Sequence, residues 1–227
     1  MKITRWIPIL MCLPLMAVRG HELVFTSGRS ARCIPIDASN RHVAFAARVN
    51  DRDGVRLVLD TGAGGSVLDE AQARALGLES SGTQHAQGSG GVAMGSTVRG
   101  VDVTLPGLQL LDQTMGTLDL GAISAQSGRP MDGILGHPLL ARSVVEIDYP
   151  RKCVSFFDPD GYRYEGPGVS VPLTFKQNLP YAKASVVHRD GRSISGKFLI
   201  DSGASTNLIL SPEAIDRGGI DAAVGKT

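Results

Sequence analysis

The feature that most constrains this chain is that one segment is written into it twice. "VNDRDGVRLVLDTGAGGSVLDEAQARALGL" recurs as "VVHRDGRSISGKFLIDSGASTNLILSPEAIDRGGI", aligning Asp60-Thr61-Gly62-Ala63 with Asp201-Ser202-Gly203-Ala204. The lead-ins agree as well, since "CIPIDASNRHVAFAARV" parallels "SVPLTFKQNLPYAKASVV" in its proline, turn and strand. A repeat of this kind implies two copies of one supersecondary unit, related by a pseudo-twofold axis.

In both copies an apolar strand ends on an aspartate. Burying an ionised carboxylate without partners costs several kcal/mol, so a chain does so where the charge is paired, hydrogen-bonded or used. Gly62 and Gly203 are expected to give the turns a backbone shape closed to other residues and to leave amides facing the carboxylates. Thr61 and Ser202 each supply a hydroxyl that can tie one turn to the other. If the turns meet at the axis, the carboxyls lie about 3 Å apart, cannot both ionise and share a proton. Such a pair is an acid and a base made from one residue type. It can activate a water against a peptide carbonyl with neither a metal nor a covalent intermediate.

The rest of the pattern is mainly β. "HVAFAARVNDRDGVRLVLD" reads as strand, Asp-Gly turn and strand, ending on Asp60, and "SVVEIDYPRKCVSFFD" as a hairpin turning at Pro150-Arg151-Lys152. "DEAQARALGL", Asp69 to Leu78, has an acidic start, an alanine-rich middle and a glycine stop, which predicts one short helix. Asp132, Asp148 and Asp190 lie beside turns and are expected to be structural.

These residues resemble the retropepsin-like aspartic proteases, and among them exported bacterial proteins with two such halves in tandem. "VLDTGAGGSVLD", "FLIDSGASTNLIL" and "MDGILGHPLL" carry the likeness, from about Cys33 onward. It implies closed β lobes related by a pseudo-twofold, catalytic Asp60 and Asp201, and supporting roles for Thr61, Gly62, Ala63, Ser202, Gly203 and Ala204. It also implies that Ile134-Leu135-Gly136 packs behind the catalytic turn. The glycine-rich stretch 82–96, with Gly88, Ser89, Gly90 and Gly91, stands where the family has its flap, although it lacks a tyrosine; a plain surface loop is the alternative. In pepsin-like relatives a Ser or Thr after the Asp-Thr/Ser-Gly donates to the carboxylate. Ala63 and Ala204 cannot, which points to a dyad that stays singly protonated to higher pH.

The implied layout is a leader over 1–20, a first lobe over 21–160 and the start of a second over 161–227. From Asp60 to Gly136 the first copy runs 76 residues, whereas 26 follow Asp201, so the second copy shows neither a flap nor an Ile-Leu-Gly equivalent. A fragment of a longer protein and a truly incomplete lobe both fit.

Lys2 and Arg5, the apolar run from Trp6 to Val18 and Val18-Arg19-Gly20 read as a cleavable export signal, cut after Gly20. Thirteen apolar residues interrupted by Pro8 and Pro14 fall short of the roughly 20 that a membrane span needs, so no stable anchor is expected. The product would be periplasmic or secreted. Cys12 leaves with the leader. Cys33 and Cys153 remain, either bridged in an oxidising compartment or as two buried thiols.

A formal net charge of +1 without a basic block argues against nucleic acid. His21, His42, His85, His137 and His188 are scattered without metal-ligand spacing. No metal and no cofactor are expected. The glycine runs fit neither a dinucleotide nor a phosphate loop, and no Gly-x-Ser-x-Gly elbow occurs. The implied partner is a peptide or protein substrate. The implied state is a monomer with two lobes or a first-lobe homodimer that supplies Asp60 twice. A non-catalytic peptide-binding module is the remaining reading.

Overall fold

The computed structural model describes residues 22–39, 41–88, 91–189 and 191–218, with the side chains of 84–93, 126 and 217–218 left aside. The predicted leader, His21, Ser89, Gly90 and Asp190 lie outside the described residues. The chain is mainly β, as its short strands and turn residues imply.

In chain order the first part contains β1 (Glu22–Phe25), β2 (Ser30–Pro35), β3 (Val43–Val49), β4 (Arg52–Leu59), β5 (Val67–Asp69) and α1 (Glu70–Ala75). It continues through β6 (Ser81–Gly88), β7 (Gly91–Leu105), β8 (Leu108–Leu118), α2 (Gly121–Ser127), β9 (Gly133–Leu135) and α3 (His137–Leu140). The hairpin β10 (Val144–Asp148) and β11 (Cys153–Phe157) follows. The last part holds β12 (Leu173–Lys176), β13 (Leu179–Val187), β14 (Ser193–Leu199) and α4 (Pro212–Gly218).

One eight-stranded sheet has the order β1-β8-β5-β9-β4-β3-β7-β6, and β7 also pairs with β8. That extra pairing closes β8-β5-β9-β4-β3-β7 into a ring, so the first unit is a small barrel with β1 and β6 at its margins. Closure leaves few strand edges free and explains why β4 reads as an unbroken apolar run. With partners on both sides and cover on both faces, its Leu57, Val58 and Leu59 are all buried. Leu57 and Leu59 join Val43, Phe45, Val103, Leu110 and Leu135 in the main core. Val58 turns to the other face, where Ala44, Leu120 and Met131 form a second cluster. Each large apolar side chain so buried contributes on the order of 2 kcal/mol.

β10 and β11 pair as the predicted hairpin, and β11 pairs in turn with β2 in a separate three-stranded sheet. A disulfide joins Cys33 to Cys153 across that pairing, with the Cα atoms 4.8 Å apart. The register slips between Val154 and Phe156, and Ser155 Oγ accepts from the Cys33 N–H at 2.9 Å, so the irregular pairing leaves that donor satisfied.

The predicted helix is present but shorter than its sequence pattern. Asp69 caps it, accepting from Ala71 N and Gln72 N, and helical geometry stops at Ala75 before Gly77, whose φ of +67° is left-handed. α2 was not expected. It has no side-chain cap at its N-terminus and spans seven residues, too short for a periodic pattern to show.

The third sheet, β12-β13-β14, repeats the opening of the first unit. The bridge Asp37↔Ala44 has its counterpart in Thr174↔Tyr181, and the β13–β14 hairpin corresponds to β3–β4. Among the described residues β14 pairs with β13 alone, whereas β4 is flanked by both β3 and β9. Phe175, Val187 and Ile209 in this part stand exposed. No helix among the described residues is long and apolar enough to cross a membrane.

Candidate active site

β4 ends at Leu59, and Asp60 leaves the sheet into a tight turn. Its backbone N–H donates to Leu135 O at 3.0 Å, which hangs the turn from β9. The N–H of Gly62 then donates to Asp60 Oδ1 at 2.7 Å. In the second copy the strand end is held by Ile200 N donating to Pro180 O, and Gly203 N donates to Asp201 Oδ1 at 2.8 Å. Each aspartate is therefore fixed by an amide two residues onward in its own turn.

The two turns meet. Thr61 Oγ1 donates to Ile200 O at 2.7 Å and accepts from Ser202 N at 2.9 Å. Ser202 Oγ donates to Leu59 O at 2.9 Å and accepts from Thr61 N at 3.1 Å. Each hydroxyl spends its donor on the carbonyl before the opposite aspartate and its acceptor on the amide after it. The reciprocity is that of a twofold axis passing between Asp60 and Asp201.

The expectation for Gly62 and Gly203 needs correcting. Neither has a positive φ, so backbone freedom is not what these positions require. Space is. A Cβ on Gly62 would meet Asp201 Cγ at 2.5 Å, and one on Gly203 would meet Asp60 Oδ1 at 2.6 Å, so each glycine makes room for the opposite carboxyl.

Each carboxyl lies against the glycine of the opposite turn, which brings Asp60 and Asp201 close enough for their charges to act on each other. The Asp60 carboxyl is pushed up to about 7, first by burial and then by the negative charge of Asp201 and the hydrogen bond to it. The N–H groups of Gly62 and Gly203 act in the opposite direction. Ala63 and Ala204 offer no side-chain donor to either carboxyl.

Ile134, Leu135 and Gly136 lie behind the first turn. β9 runs parallel to β4, pairing Val58 with Ile134 and Leu59 with Leu135. A Cβ on Gly136 would overlap the carbonyl oxygens of Ala63 and Gly65, so that glycine too marks a close approach. His137 N donates to Ala63 O at 2.9 Å. A further residue, Ser66, escaped the sequence reading: it is buried, its hydroxyl accepts from Gly136 N at 3.2 Å, and it braces the turn against β9. The signal available was a lone serine after Gly64-Gly65, which is too common to single out. Asp132 is structural as expected, accepting from Arg56 N at 2.8 Å, and Asp148 accepts from Arg151 in the β10–β11 turn.

β6 and β7 form a hairpin over the predicted flap region, with Gly88 paired to Gly91. The tip residues Ser89 and Gly90 lie outside the described residues. At its base Gly95 crosses β8 so closely that a Cβ would overlap Thr117 O.

Residues 45–139 match the family model described as aspartyl protease. This segment is a retropepsin-like aspartyl protease domain. It runs from within β3 into α3, so it contains the Asp60 turn, the β6–β7 hairpin and Ile134-Leu135-Gly136. The aspartyl protease match does not extend to Asp201, which the repeat and the hydrogen bonds bring to the same place. No curated protein matches the chain.

Proposed function

We propose that the chain is an exported aspartic endopeptidase whose catalytic dyad is Asp60 and Asp201. The observation that carries this reading is the reciprocal exchange of hydrogen bonds between Thr61 and Ser202, which sets two half-buried carboxyls against each other. With one proton shared, the ionised carboxyl takes a proton from a water held between the pair, and the water oxygen bonds to the scissile carbonyl carbon. The protonated carboxyl gives its proton to the carbonyl oxygen. Collapse of the resulting diol breaks the C–N bond as a proton passes to the leaving nitrogen, releasing an acid and an amine. Gly62 N and Gly203 N hold the carboxyl orientations, and the β6–β7 hairpin closes on the peptide.

The Cys33–Cys153 bridge supports an oxidising destination, the periplasm or the medium, because cytosolic thiols are kept reduced. The intrachain meeting of the two turns supports a two-unit monomer.

The test is hydrolysis of a quenched peptide library by purified Asp60→Asn and Asp201→Asn variants. Both are expected to be inactive and folded. Activity surviving in Asp60→Asn ends the dyad assignment, and activity surviving in Asp201→Asn alone moves the reading to a first-unit homodimer.

A further inference from the structure

The grip between Thr61 and Ser202 sits close to the pseudo-twofold axis, where hydrogen bonds have little leverage against rotation of one unit on the other. A second set of contacts lies further out. Arg41 comes from the turn that leads into β3, and its guanidinium crosses to the second unit. There NH1 donates to Asn207 Oδ1 at 3.0 Å and to Ser205 O at 3.5 Å. Asn178 comes from the turn that leads into β13 and crosses the other way, its Nδ2 donating to Gly64 O at 3.5 Å. Arg41 and Asn178 occupy the same place in the two aligned lead-ins, and both have a φ of +66°. Gly64 and Ser205 are likewise equivalent, each four residues beyond its aspartate. The contact thus occurs twice, once on each side of the axis.

The two versions differ in reach in a way that matches their targets. The short Asn178 side chain approaches a glycine, and a Cβ on Gly64 would come within 3.2 Å of Gln177 O. The long guanidinium arm approaches Ser205, whose carbonyl it meets at the same 3.5 Å, and reaches on to Asn207. Arginine is not a residue that favours left-handed backbone, so its presence at φ +66° is explained by what its side chain does rather than by the turn.

We propose that Arg41 and Asn178 are positioning residues of the dyad, an outer pair of struts that fix the angle between the two units and so the distance between Asp60 and Asp201. The proposal rests on the dyad reading above. Neither side chain is expected to touch substrate. The charge that acts on Asp60 is that of Asp201, so a change in the angle between the units is felt directly in how the two carboxyls share their proton.

The experiment uses the full chain with Arg41→Gly and Asn178→Gly, substitutions that keep the left-handed backbone available and remove the strut. Arg41→Lys is the conservative variant, retaining a donor for Asn207. Arg48→Ala is the control, because Arg48 pairs with Asp51 and Asp53 of its own hairpin. Two quantities are read: the titration midpoint of the Asp60 carboxyl by carbon-13 NMR, assigned with Asp60→Asn, and kcat and KM on a quenched peptide. Both glycine variants are expected to lower the Asp60 midpoint by about one pH unit, equivalent to a tenfold change in the ratio of its two forms. kcat should fall with KM nearly constant, and Arg41→Lys should stay near the parent. Unchanged midpoints in both glycine variants, or the same shift in Arg48→Ala, overturn the proposal. If the midpoint shifts while the parent hydrolyses no peptide, the struts stand and the protease reading falls.

Discussion

Gly203 lies against the carboxyl of Asp60 with no room between them for a β-carbon. Gly203→Ala must therefore push the two turns apart or swing the Asp60 carboxyl off its bond to Gly62 N. Overpacking of this kind costs roughly 1–3 kcal/mol. Peptide hydrolysis is expected to fall at least a hundredfold in Gly203→Ala, with the midpoint of urea unfolding lowered. Gly65→Ala, at a neighbouring glycine with open space around it, should leave both measurements near the parent. Equal effects from the two variants would contradict the spatial account.

Stability should depend on pH through Asp60. In the unfolded chain its carboxyl ionises near 3.8, and in the fold it is pushed up to about 7. Between those values folding takes up a proton. The stabilising contribution is fully present below about pH 4 and is lost as pH rises towards 7, at no more than about 1.4 kcal/mol per pH unit. Asp60→Asn cannot ionise and should flatten that fall, so its Tm at pH 8 is expected to exceed that of the parent. Parallel Tm profiles for the two proteins from pH 4 to 8 would contradict the raised carboxyl.

Hydrolysis is expected to be fastest at mildly acidic to neutral pH. With alanine at 63 and 204, no hydroxyl donates to the carboxylates, and the shared proton is held more tightly. Ala63→Thr should restore one donor and move the optimum to lower pH. A pH–rate profile of each protein on the quenched library checks this; an optimum near pH 3 in the parent, or no acid shift in the variant, defeats the argument.

Titration of the denatured, unreduced protein should find Cys33 and Cys153 unreactive. Reduction, or Cys153→Ser, removes a crosslink between residues 120 positions apart and is expected to cost roughly 2–5 kcal/mol in chemical unfolding. Full thiol reactivity without reductant would show the bridge to be absent.

Much of this site was legible because its chemistry is written twice. Asp60, Asp201 and the Thr61–Ser202 relationship follow from matched flanks, and the strand behind the first turn from the family resemblance of Ile134-Leu135-Gly136. What the sequence concealed was proximity. Gly62 and Gly203 read as turn positions needing a backbone shape closed to other residues and prove to be spacers for opposite carboxyls, because a one-dimensional pattern does not reveal which atoms come within van der Waals distance. β5 and β9 are three residues each and complete the barrel through partners far away in sequence, so no local period marks them. Arg41 and Asn178 were invisible for another reason. They differ from each other, and although the aligned lead-ins put them at one place, their shared role appears only once both side chains are seen crossing to the other unit.

The disulfide also bears on when the molecule becomes capable of anything. A nascent chain presents Cys33 long before Cys153, and Val154 and Phe156 on the same strand are wholly buried in the core of the first unit. The core of the first unit is thus filled only when β11 has packed against it, and the Asp60 turn belongs to that unit alone. A lone carboxyl in a turn has no second group with which to share a proton. The proposed dyad forms only when the Asp201 turn docks on the first unit, so neither unit by itself holds both of its carboxyls.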